Sequence, residues 1–237
     1  NTGTRRLYGL SDYRRDVPVA FCPCPPMLVP EVARGAAYEL NDLRAHCDAV
    51  VRRLVADADD AVTVLAPGAE RKRYGADAGG SLRGFGVDLE AGGPDVVLGS
   101  ELTIGAWLLD RAGWSGDRVY ATVRADTRWN PDTPVLLLGD GSAKRSESAP
   151  GHFDERAAAY DKSIAHALAI GDASALASLD VRLGEQLWAG GVPSLVSLGA
   201  SLVSAHRGVS NARLRYDEAP YGVGYFVAEW SLEGDTL

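Results

Sequence analysis

Residues 17–26 read VPVAFCPCPP, an apolar run of strand length that ends in two cysteines and three prolines. Alternating Val, Ala and Phe suit a buried strand, and the prolines end it because they cannot donate to a ladder. Beyond it, Val32, Ala36, Leu40, Leu43, Cys47, Val50 and Leu54 recur at intervals of three and four. That spacing predicts a long helix opened by Glu31, with one buried stripe that takes Cys47 into the core. Residues 61–66, AVTVLA, then predict a second buried strand that breaks at Pro67-Gly68.

Strand, helix, strand is the unit from which parallel sheets are built, and the rest of the chain repeats the alternation. Residues 102–112 look helical, 118–124 (RVYATVR) alternate like a strand, and 134–138 (PVLLL) form a fully buried strand that runs into Gly-Asp-Gly-Ser. Helical spacing follows over 154–170, 173–189 and 193–206, and YGVGYFVAEWSL at 221–232 closes the chain with a strand-like tract. No internal repeat is visible. The fold class expected is α/β, a mostly parallel central sheet with helices on both faces. Residues 68–95 are glycine-rich, charged and too long for a simple connector, and long loops of this kind are often functional.

Composition narrows the partners. The chain has 237 residues, 46% of them hydrophobic, which suits one α/β domain over residues 17–237. Residues 1–16 carry four arginines without a period and read as a flexible arm. A net charge of -8 disfavours phosphate backbones, so nucleic acid is not an expected partner. No apolar run approaches the roughly 20 residues that span a bilayer, and no signal-peptide core is present, so a cytoplasmic setting is expected. Three cysteines argue against a disulfide framework, and Cys22 and Cys24 are too close for an unstrained bridge.

In open α/β sheets ligands sit beyond the carboxyl ends of the strands. Three such ends stand out: CPCPP after the first strand, PGAER after the second, and GDGSAKR after PVLLL. If those strands are neighbours, the three segments share one rim.

Five motifs then suggest a family. CPCPPMLVPE (22–31), TVLAPGAE (63–70), LLLGDGSAKRSESAPGHFDERAAAYD (136–161), EQLWAGGVPSLVSLGA (185–200) and APYGVGYFVAEW (219–230) fall in the order and spacing of the catalytic chain of class III extradiol ring-cleavage dioxygenases. Within that superfamily the chain resembles a small branch that is related also to the Memo proteins. The resemblance implies an α/β sandwich and chemistry at Fe(II) held by two histidines and a carboxylate, with a further histidine to move protons. This sequence departs from that pattern. Cys24 and Gly68 stand where the resemblance places the metal histidines, and Ala143 stands where it places the proton-transfer histidine. Fe(II) is therefore not expected to bind in the family's way.

Other residues near the strand ends remain as candidates. An extended strand would point Cys22 and Cys24 to one face, as half a soft-metal site or as plain pocket-lining thiols, with Cys24 also a conceivable nucleophile. Asp140 and Ser142 keep the family's strand-end motif, and Gly141 between them is expected in the pocket lining; Asp140 either meets a ligand hydroxyl or holds the rim. His152 lies in the loop after GDGS and could reach over that rim, while Asp154 reads as a helix-start cap. His46 and His166 fall on helix surfaces, and His206 ends a helix. Tyr221 and Glu229 belong to the terminal tract, which reads as an edge strand with core aromatics; the family's metal carboxylate is also drawn from late in the chain. The function expected is a small-molecule-binding or regulatory protein without ring cleavage, its ligand an aromatic or other planar molecule. The alternatives are an enzyme rebuilt around Cys24, Asp140 and His152, with another metal, and an interaction scaffold that associates as a homodimer.

Overall fold

The computed structural model describes residues 16–234. All of the expected arm except Asp16 lies outside the described residues. The chain runs β1 (Val17–Cys22), α1 (Pro30–Ala33), α2 (Asn41–Ala56), β2 (Ala61–Pro67), β3 (Lys72–Tyr74), β4 (Ala78–Ser81), β5 (Glu90–Gly92), β6 (Asp95–Val96), α3 (Ser100–Arg111), β7 (Asp117–Val123) and β8 (Val135–Leu138). It continues through α4 (Arg156–Ile170), α5 (Ala173–Ala177), α6 (Val181–Gln186), α7 (Val192–Ser204), β9 (Val209–Glu218) and β10 (Tyr225–Leu232). Seven strands form the main sheet in the order β3-β7-β2-β8-β1-β10-β9. Its centre, β7-β2-β8-β1, is parallel, and β3, β10 and β9 pair antiparallel at the flanks. The expected α/β class is therefore observed. A small sheet, β5-β4-β6, comes from the glycine-rich stretch and packs on α3.

Side chains alternate between two cores, as the period of a strand requires. Val19, Phe21, Val135, Leu137, Phe226 and Trp230 face the layer of α4, α5 and α7. Ala20, Cys22, Leu136, Leu138, Val62, Val64 and Val227 face α2 and α3. Phe21 meets Trp230 edge-on at 4.9 Å between ring centroids, and the Trp230 indole N–H donates to the Leu168 carbonyl at 2.8 Å, tying the sheet to α4. On the other face the Arg111 guanidinium makes a two-pronged pair with Asp48, joining α3 to α2.

The structure corrects three sequence expectations. The single helix over 31–54 is interrupted: Arg34 has φ 52°, a 3-10 segment spans Arg34–Leu40, and the regular helix starts only at Asn41. The buried Arg44 accounts for the break, because it donates to the carbonyls of Leu28 and Ala37 and to the Asn41 side chain, pulling the preceding loop onto α2. The helix expected over 173–189 is two, each opened by its own cap, with Asp172 accepting from the Ala175 N–H and Asp180 from the Leu183 N–H. The terminal tract is not an edge strand but lies inside the sheet, since β9 covers β10.

Gly139, just past β8, passes so close to Gly191 that a Cβ on it would stand 2.4 Å from the Gly191 Cα. Backbone meets backbone there, so neither side can yield cheaply. Gly139→Ala should destabilise the fold by about 1–3 kcal/mol, the usual cost of overpacking, measured by urea unfolding.

Candidate functional site

β8 lies between β1 and β2, so the three strand ends converge as expected. Cys24, Pro25 and Pro26 from β1, Pro67 from β2, and Asp140 and Ala143 from β8 line one cavity of about 300 Å³. Ser100 and Glu101 at the start of α3, Trp188 and Gly190 from the α6–α7 turn, and Val223 and Tyr225 from the approach to β10 complete it. A larger recess of about 740 Å³ shares Pro67, Glu101 and Gly190 with this cavity and brings in Gly68, Arg124, Asp126 and Glu185.

The loop after β8 is held from three sides. The Gly191 N–H donates to the Asp140 carbonyl at 2.7 Å, the Gly141 N–H to the Gly224 carbonyl at 2.7 Å, and the Ala143 N–H to the Leu187 carbonyl at 3.0 Å. Beneath it lies Asp161, 1% exposed, which accepts from the Ser142 N–H (2.9 Å), the Ser142 hydroxyl (2.8 Å) and the Arg145 guanidinium (3.0 Å). Burial raises the Asp161 carboxyl above its ordinary value, and those three donors pull it back. Gly141 and Ser142 are thus buried beneath the rim. Asp161 ends the third of the five motifs, yet sequence reasoning gives it no role; its only signal there is an Asp on the apolar face of a helix.

Asp140 and Cys24 form the polar floor of the cavity. The Cys24 N–H donates to Asp140 Oδ1 at 2.8 Å. Burial lifts the Asp140 carboxyl to about 6, the Cys24 N–H lowers it, and the charge of Glu101 raises it further. Burial also pushes the Cys24 thiol well up, and Asp140 and Glu101 add to the shift. Cys24 therefore carries its proton at neutral pH, the opposite of an activated nucleophile. Cys22, the last residue of β1, belongs to the same core cluster as Cys24 but lies against Cys47, and its thiol is likewise raised by burial. Tyr225 is raised by burial, then by Asp140 and Cys24.

Other candidates lie elsewhere. Glu229 pairs with Ala20 in the middle of the sheet, away from the rim, where its carboxylate clamps Arg53 of α2 and Arg215 of β9. Its burial beneath two guanidiniums explains a carboxylate inside a strand. Tyr221 bonds Glu39 and does not line the cavity; Tyr225, four residues on, takes that place. His152 is exposed, with φ 60°, and lies outside the cavity lining. His166 and His206 are exposed as well, and His46 sits on α2 beside Asp42 and the Tyr216 ring. Asp154 is not the cap of α4: it accepts from the Arg156 N–H, but the N-cap position is Glu155, whose side chain makes no cap bond.

The donors do not fit the ferrous cage that the resemblance implies. A Cβ built on Gly68 would stand 2.6 Å from the Thr122 Cβ, so the position where a metal histidine is expected is already filled by the next strand. Among the described residues no group of three or more His, Cys, Asp or Glu is placed to hold a metal ion. Trp188 is a rim residue that sequence reasoning misses. It ends α6 with φ 57° in the position a glycine usually takes, and it is 57% exposed at the cavity mouth.

Asp161→Ala should cost about 3 kcal/mol in urea unfolding, because it strands the Ser142 donors and the Arg145 charge. Asp140 gives a pH signature. Its unfolded value is near the ordinary 3.9 or so, and its folded value is about 6. The folded state therefore holds the extra proton in that window, and this contribution to stability falls as pH rises through it. Asp140→Asn keeps an oxygen for the Cys24 N–H, so relative to wild type it should gain stability from about pH 4 to about pH 6 and keep that gain above, as read from urea midpoints. No family model matches the chain, and a search of curated proteins finds no significant match.

Proposed function

We propose that this chain is a divergent member of the class III extradiol dioxygenase superfamily that keeps the strand-end pocket without the iron chemistry, and that it binds a small planar molecule there. The observation that carries this reading is the pairing of a formed cavity at the three strand ends with a Gly68 position closed by Thr122. The cavity lies beyond the carboxyl ends of the parallel central strands of a mixed sheet, where pockets of this fold class are found. Trp188 and Tyr225 offer ring surface, and Asp140 and Ser100 offer polar contacts. A rebuilt catalytic centre on Cys24, Asp140 and His152 has less support: the thiol keeps its proton, and His152 is outside the cavity. No helix among the described residues is long and apolar enough to cross a membrane, and the three cysteines are buried and unpaired, which suits a reducing, cytoplasmic setting.

The test is an anaerobic Fe(II) titration with metal analysis, followed by admission of oxygen with catechol and absorbance detection of ring-opened product. The expected result is substoichiometric iron and no ring opening. In parallel, neutral aromatic amides should shift NMR signals of Trp188, Tyr225 and the loop after β8. Stoichiometric iron with turnover would overturn the proposal.

A further inference from the structure

The charged groups that line the 300 Å³ cavity are Glu101 and Asp140, both acidic. The adjoining recess adds Glu185, Asp126 and one cation, Arg124, whose Nε already lies 3.5 Å from Asp126. An anionic ligand would meet uncompensated carboxylates in a partly water-excluded space, where like charges repel more strongly than in bulk water. A cation would be drawn in by the same field.

We propose, building on the function proposed above, that the rim cavity takes a planar organic cation, an aryl amidinium, guanidinium or ammonium, with its charge against Asp140 and Glu101 and its ring against Trp188. Two independent features converge on this ligand class. The first is the Asp140 carboxylate, whose Oδ1 takes the Cys24 N–H while, among the described residues, no donor bonds Oδ2. A forked N–H pair matches the geometry of such a carboxylate. The second is Trp188. A bulky side chain held at φ 57° is a strained conformation, and here it keeps an indole more than half exposed at a cavity mouth instead of burying it. The ring already attracts an ammonium: Lys144 Nζ stands over it at 5.6 Å from the centroid. Lys144 also lies in the field of Asp154, so its charge does not answer the cavity's carboxylates alone.

The groups that face Asp140 are Cys24 after β1, Glu101 on α3 and Tyr225 on β10, and none of them brings a positive charge. Cation binding should therefore weaken as pH is lowered through about 6, where Asp140 takes up its proton.

The experiment is calorimetric titration of the full chain at mildly alkaline pH with three isosteres, benzamidinium, benzamide and benzoate. Benzamidinium should bind at least about tenfold more tightly than benzamide, and benzoate more weakly than either. Asp140→Asn should reduce the amidinium-to-amide ratio to near unity. Trp188→Gly should weaken benzamidinium about fivefold or more, yet raise the melting temperature because glycine accepts the positive φ without strain. That rise also separates lost binding from misfolding. Equal binding of the three isosteres, or an unchanged ratio in Asp140→Asn, overturns the charge assignment and leaves the pocket reading intact. Failure of all three to bind overturns both.

Discussion

Strand β8 hydrogen-bonds to β1 on one side and to β2 on the other, and the rim depends on that insertion. Because all three run parallel, their carboxyl ends finish at one edge of the sheet, and segments far apart in sequence become the walls of one cavity. Backbone bonds to Gly191, Gly224 and Leu187 hold the β8 loop at its sides. Asp161 adds the support beneath: from inside α4 it takes both donors of Ser142 and one from Arg145, so the loop stands on a buried carboxylate. The close passage of Gly139 against Gly191 then fixes the α6–α7 turn to the same loop and brings Trp188 to the cavity mouth.

The same insertion decides the electrostatics. Asp140 cannot retreat into water because its carbonyl is bonded to Gly191 and its carboxylate to the Cys24 N–H. It stays beside Glu101, and both carboxylates act on the Cys24 thiol in the direction of protonation. A thiol in this field is a quiet wall group. On the proposed reading, the chemistry left to such a rim is recognition, with charge and ring surface as its two instruments.

Strain is local and tied to position. Trp188 occupies a helix end where glycine would be favoured, and its exposed indole gains little from burial. Residues held in this way persist only when their surroundings over-determine them, and the Ala189 N–H bond to Gly184 together with the Lys144 contact does so here. Arg34, one of five non-glycine residues with positive φ among the described residues, sits in the segment between β1 and α2 that the hydrogen bonds of Arg44 hold. That region positions the proline-rich wall of the cavity.

Periodicity alone identified β1, β2, β7, β8, β10 and the buried stripe of α2, because alternation in a strand and threes and fours in a helix are local consequences of burial. It also picked out the three strand ends that line one cavity. Strand β9 escaped it, since a register shift beside Arg215 moves Leu214 and Tyr216 to opposite faces and hides the alternation. The short strands β3 to β6 escaped because segments of two to four residues carry too few side chains to show a period. Which residues line the rim cavity was decided only by tertiary structure. Glu229 and Tyr225 are four residues apart in one strand, and only the antiparallel pairing with β1 puts Tyr225 at the rim and Glu229 beneath two arginines in mid-sheet. The closure of Gly68 by Thr122 is likewise a contact between the end of β2 and strand β7, and no feature of either segment by itself announces it.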